Sequence, residues 1–127
     1  MRASYLLTAL VFLLTAAPAL AHFGMIIPEE SMPGDAVRSL TATLSFSHPF
    51  EGIGMPLEAP KNAFVFKDGK KSDLKLGKTT VMDHKAHAAE IRLTRPGACT
   101  LVMEPHPYWE PEEDCFIIHY TKTALAV

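Results

Sequence analysis

The chain has 127 residues, 48% of them hydrophobic, with a formal net charge of −2 and two cysteines. Its charge carries no signature of a nucleic-acid-binding face or a polybasic membrane surface, and its length leaves room for one domain with a real core but not two. All six histidines, His22, His48, His84, His87, His106 and His119, lie beyond residue 21, and this enrichment, not the charge, is the compositional signal.

Residues 1–21 read as a secretory signal peptide. Arg2 supplies the positive start, Tyr5 to Ala17 form an apolar stretch interrupted only by Thr8 and Thr15, Pro18 ends it, and Ala19-Leu20-Ala21 is a small-x-small cleavage site. The apolar stretch falls short of the roughly 18–20 residues that a membrane span requires. The expected product is periplasmic, begins at His22 and has no span after cleavage.

Residues 22–127 read as one domain of short strands. Phe23 to Ile27 is apolar and stops at Pro28, and Pro33-Gly34 marks a turn. From Leu40 the chain alternates, with Leu40, Ala42, Leu44 and Phe46 opposed to Thr41, Thr43, Ser45 and Ser47, the pattern of a half-buried strand. It ends at His48-Pro49 and opens a long irregular loop, 49–61, rich in proline and glycine. Residues 63–67 form a strand, Asp68-Gly69 a hairpin turn, and 70–76 a lysine-rich edge strand. Residues 79–82 form a short strand, 83–87 fit turn or strand, and 88–93 alternate again. After the turn at Arg95-Pro96-Gly97 comes a strand over 100–104. A proline-stiffened loop over 105–114 follows, then a last strand over 115–123 with the apolar end Ala124 to Val127. About seven such strands without an amphipathic helix predict an all-β, immunoglobulin-like β-sandwich.

Cys99 and Cys115 are expected not to pair. In a hairpin closed by the loop 105–114, Glu104 lies near Cys115 and Cys99 near Tyr120. The separation is then roughly 17 Å, against the roughly 4.4–6.8 Å between Cα atoms that a disulfide tolerates. Both read as buried small apolar residues, with Cys115 as a soft metal ligand the alternative.

The histidines carry the possible chemistry. A mature N-terminal His22 offers an α-amine and an imidazole that close a chelate ring on one metal, and one further histidine completes a histidine brace. Nitrogen donors in tetragonal geometry suit copper(II) and nickel(II), and binding requires deprotonated ligands. The alternative is that His22 merely follows a cleavage site. His48 ends a strand where a side chain can point off the sandwich edge, with Met55 nearby as a soft donor; otherwise it is an exposed loop histidine beside a packing methionine. His84 and His87, spaced H-x-x-H, share a side only in a turn or helix, so one of the two is the expected ligand, and solvated loop residues the alternative. The loop carrying His106 and Glu110 could hold a cation or a partner, or form a rigid acidic loop with Trp109 capping the core. His119 reads as structural or supporting a ligand. No nucleophile elbow, phosphate loop, C-x-x-C or H-E-x-x-H is present, which argues against hydrolase or nucleotide chemistry.

Three segments together resemble a bacterial periplasmic family. They are Ala21-His22-Phe23-Gly24-Met25; His48-Pro49-Phe50-Glu51-Gly52-Ile53-Gly54-Met55; and Glu104-Pro105-His106-Pro107-Tyr108-Trp109-Glu110-Pro111 with Glu113-Asp114-Cys115-Phe116-Ile117-Ile118-His119-Tyr120. Members are labelled nickel-uptake-associated and form a domain of unknown function. The resemblance spans residues 22–127 and implies a secreted β-sandwich with a metal-related role, usually followed by a second β-rich region; the stop just after Thr123 suggests a truncated or split member. It implies no catalytic motif.

The expectation is therefore a non-enzymatic periplasmic protein that binds nickel or cobalt and delivers it to a membrane uptake transporter, with His22, His48, His84 and His87 as ligand candidates and Met55, His106, Glu110 and His119 as minor ones. The alternatives are a copper histidine-brace oxidase, like the lytic polysaccharide monooxygenases, and a metal-free adhesion module using the loop 105–111.

Overall fold

The computed structural model describes residues 23–126 except 35, 38 and 112. The expected signal peptide, His22 and Val127 lie outside the described residues.

Two antiparallel sheets face each other across one core. The first is built from β1 (Phe23–Pro28), β2 (Ser39–His48), β3 (Ile53–Met55), β6 (Leu76–Val81) and β7 (His84–Arg92), in the order β1-β2-β7-β6 with β3 also paired to β2. The second runs β11 (Thr121–Ala126), β8 (Ala98–Glu104), β4 (Asn62–Lys67), β5 (Lys70–Asp73). A separate ribbon pairs β9 (Tyr108–Glu110) with β10 (Cys115–Ile117). The described residues are thus all-β and form the expected sandwich.

The alternation in β2 decides the packing. Leu40, Ala42, Leu44 and Phe46 are buried and meet Ile91 and Ala89 of β7 and Leu101, Met103 and Cys99 of β8. Leu44, Ile91, Leu101, Met103 and Leu125 are almost fully enclosed, each burial stabilising by roughly 1.5–3 kcal/mol. Ser45 and Ser47 were expected on a polar face but are also buried. Their neighbours across the ladder are Met25 and Phe23 on one side and, for Ser47, Gly54 on the other. Gly54 is required there, because a Cβ would stand 2.7 Å from Met82 Cβ and 2.8 Å from His84 Cδ2.

The two edge strands β1 and β11 close one side of the sandwich. Thr121 and Thr123 pair with Met103 and Leu101, so they occupy core-side positions of β11. Their hydroxyls donate across the gap to the carbonyls of Gly24 and Ile26, both at 2.9 Å. These acceptors lie on the edge of β1 that is laddered to no strand among the described residues, where unpaired backbone groups must otherwise find water.

Several local expectations are corrected. The loop 49–61 contains β3, because Phe46, Ser47 and His48 at the end of β2 still need ladder partners and take Met55, Gly54 and Ile53. The strand expected over 70–76 breaks at Leu74, and the chain crosses between sheets, so Leu76 belongs to β6. Residues 82 and 83 form a two-residue hairpin turn with φ of 50° and 61°. This geometry favours glycine or asparagine, so the Met-Asp pair hid the turn. The last strand is not continuous from 115 to 123: β10 turns back on β9, and β11 starts at Thr121. Cys99 accordingly lies opposite Leu125, not Tyr120. Both cysteines are free, as expected, but Cys115 is exposed.

The threonine seam gives a direct test. Thr121→Val and Thr123→Val keep the shape and remove the donor, so each should lower stability by about 0.5–1.5 kcal/mol, read as a lower urea midpoint at constant slope. Unchanged midpoints in both variants would mean that water satisfies those carbonyls equally well.

Candidate functional site

The expected site residues fall in three places. His84 and His87 start β7, and a straight strand sends them to opposite faces. His84 is exposed and lies against Gly54. His87 is 5% exposed, and its Nε2 lies 3.2 Å from the Leu57 carbonyl. Because a carbonyl only accepts, that nitrogen carries the proton. His87 sits where β7 parts from β2: it pairs with Leu44, and beyond it the segment after β3 runs beside β7, with Leu57 N–H donating to the Lys85 carbonyl at 2.8 Å. The solvated-loop alternative is thus overturned for His87, which ties this fork together. Lys85 and Glu58 form an ion pair on its outside, which holds the Glu58 carboxyl below its usual range, chiefly through the hydrogen bond from Lys85.

The second place is the end of the sandwich where β1 starts and β2 stops. His48 is 7% exposed and pairs with Ile53. The expectation that it points off the edge is corrected: position 48 continues the even-numbered face of β2, which is the core face. Met55 lies opposite Phe46 and packs against the core, in line with the packing-methionine alternative.

The third place adjoins the second. His119 lies between β10 and β11, outside any strand, with Nε2 shielded from solvent. Its ring stacks on Tyr108, with centroids 5.7 Å apart and planes at 15°, and tilts against Phe46 at 5.7 Å. Phe46 and Tyr108 meet edge-on at 5.2 Å. Gly24 of β1 completes the cluster, since a Cβ there would be 3.6 Å from His119 Cβ and 2.9 Å from Thr121 Oγ1. Gly24, Phe46, Leu57, His106, Tyr108 and His119 line a cavity of about 150 Å³. His106 is exposed at its rim. Glu110 accepts the Tyr108 hydroxyl at 2.8 Å. Burial, with that hydrogen bond and the nearby carboxylate, pushes the Tyr108 phenol up to about 12.

The remainder of the 105–114 segment also differs from expectation. Trp109 does not cap the core: it is 48% exposed and meets Phe116, 69% exposed, edge-on at 5.1 Å across the β9–β10 ribbon. Among the described residues, no group of three histidine, cysteine, aspartate or glutamate side chains is placed to hold a metal ion. The structure therefore brings Gly24, Phe46, Tyr108 and His119 together beside the end of β2, and leaves His84 and His87 apart. The sequence offered one signal for this cluster, the histidine that follows β10 and the tyrosine in the proline segment, but their meeting depends on the β9–β10 pairing.

Over residues 19–127 the chain matches a domain of unknown function (DUF4198). No curated protein and no solved structure matches it.

The perturbed phenol yields a measurable consequence. A phenol pKa raised in the folded state favours the neutral form, so its contribution to stability is complete below the ordinary value near 10 and is lost as pH rises through about 12. Ultraviolet titration should show one phenol ionising at about 12, and Glu110→Gln should lower that value while burial keeps it above the ordinary one. A Tyr108 that titrates normally in the folded protein would refute its partly buried placement beside Glu110.

Proposed function

We propose that this chain, which belongs to the DUF4198 family, is a periplasmic protein that binds a transition-metal ion through His22, His48 and His119 and delivers it to a membrane uptake transporter. The observation that carries the proposal is the register of β1 on β2. The pairs run from Pro28 opposite Ala42 to Phe23 opposite Ser47. The next residue on β2 is the buried His48, and the residue covalently joined to Phe23 is His22. On the same side Gly24 leaves room for His119.

In this reading signal cleavage after Ala21 frees the His22 α-amine, and amine and imidazole chelate the ion together. His48 and His119 add imidazole nitrogens, so His119 takes the part expected of His84 or His87. Such a donor set suits nickel, cobalt or copper. The preference for nickel or cobalt, and the link to uptake, rest on the resemblance described above. Tyr108 and Phe46 hold the His119 ring by contact on its faces, much as supporting groups orient ligands in metal sites.

A second reading is favoured by the exposed Trp109–Phe116 pair: a metal-free contact module that uses the β9–β10 ribbon. It predicts no metal retained through purification without chelator.

Calorimetry with nickel and copper separates these readings. Protein processed to begin at His22 should bind one ion per chain. One extra residue ahead of His22, or His48→Ala or His119→Ala, should weaken binding by at least the roughly 10–100-fold that loss of even an outer partner costs. If the extended protein binds as tightly as the processed one, the terminal chelate is wrong. Because a copper oxidase would share the same ligands, oxygen uptake by copper-loaded protein with a reductant decides between carrier and enzyme; the carrier reading expects none above free copper.

A further inference from the structure

The sandwich has a second opening, at the end away from His48 and His119. It lies where β4 and β7 finish and β8 begins, beneath the crossover at Leu74 and Lys75, and encloses about 530 Å³, within the range of small-molecule sites. Its chemistry is two-layered. Val65 and Leu74, both half-buried and packed against the core, form an apolar floor. Five cations, Lys67, Lys70, Lys75, Arg92 and Arg95, stand round it, with three acids, Asp68, Asp73 and Glu90. This is a local positive excess in a chain whose formal net charge is −2. Lys67 is spent on the Arg95 carbonyl, and Arg95 lies 3.7 Å from Asp68. Lys70, Lys75 and Arg92 form no ion pair among the described residues.

We propose that this cleft binds a small organic anion with an apolar body, such as a medium-chain carboxylate. The charge layer selects the anion: a carboxylate at the rim meets cations not already paired, and charge-assisted contacts of this kind are the stronger ones. The floor selects the body: a bare inorganic anion would leave Val65 and Leu74 wet, whereas a hydrocarbon chain laid on them removes apolar surface from water at about 25 cal/mol per Å². The interspersed acids and the concave shape disfavour a polyanionic strand, which needs an extended stripe of cations.

Calorimetric titration of the full processed chain with octanoate, acetate and octylamine tests both layers. Octanoate should bind one per chain and at least ~10-fold tighter than acetate, and octylamine should not bind. The double variant Lys75→Ala/Arg92→Ala, at exposed positions, should keep its circular dichroism and lose ~10-fold in octanoate affinity, the loss expected for one charge-assisted contact. Phe116→Ser, on the aromatic ribbon elsewhere, should leave octanoate binding unchanged. Absence of octanoate binding, equal binding of octylamine, or an undiminished affinity in the double variant would each overturn the proposal. A loss in Phe116→Ser would do so too, by moving the binding to the ribbon.

Discussion

The first strand of this domain is held by the last. β1 is an edge strand, and edge strands fray more readily than central ones. Two features oppose that. Its inner edge is laddered to β2 over six pairs, and its outer carbonyls at Gly24 and Ile26 receive the Thr121 and Thr123 hydroxyls. Valine would serve the packing at both threonines equally well. The hydroxyl is needed because the groups they face are backbone acceptors rather than side chains. The contact spans 97 residues of sequence, so the seam forms only once both sheets are in place. It also fixes how closely β1 approaches β11, which is why position 24 tolerates no Cβ without displacing Thr121 Oγ1.

A second constraint acts at the other side of β2. β2 is longer than either of its partners on that side, so β7 serves its first half and β3 its end. A sheet that changes partner in mid-strand leaves a wedge, and wedges need polar side chains that can satisfy the backbone groups released there. His87 fills this one by donating to Leu57, and Leu57 in turn bonds Lys85. A histidine adjacent to the core is thus accounted for by hydrogen bonding alone, which is the commonest reason for finding one buried. His48, also buried, closes β2 at its last pair with Ile53.

How much of this was legible in the sequence depended on distance along the chain. The alternation of Leu40, Ala42, Leu44 and Phe46 named the core face correctly, because period two is a property of the strand itself. The Asp68-Gly69 turn was legible for the same reason: both residues take positive φ and the pair is suited to it. The Met82–Asp83 turn was not, since its sequence lacks that chemistry and the fold imposes the conformation. The ribbon β9–β10 was hidden by prolines at 105, 107 and 111, which read as loop although each falls outside the paired residues. That one omission shifted the register of the last strand, placed Cys99 opposite the wrong residue and separated His119 from Tyr108. Positions of histidines could be counted from the sequence; which of them share a space was decided by pairings between segments far apart.

The two ends of the sandwich show why buried area and chemistry need not coincide. Along β8, Cys99 sits toward one opening and Met103 toward the other, with Leu101 fully enclosed between them. The apolar middle is common to both and confers no selectivity. Selectivity comes from what the connections bring to each mouth. At one, strand starts and ends deliver aromatic rings and imidazoles, packed so that Tyr108 remains a neutral phenol far above neutral pH. At the other, the turns after β4 and β7 deliver ammonium and guanidinium groups over half-buried aliphatics. In the readings proposed above, the imidazoles at the first mouth suit a soft cation, and exposed cations over hydrocarbon at the second suit an anion that brings its own apolar surface. The two mouths are separated by the length of a seven-residue strand, so each can be altered without redesigning the core that separates them.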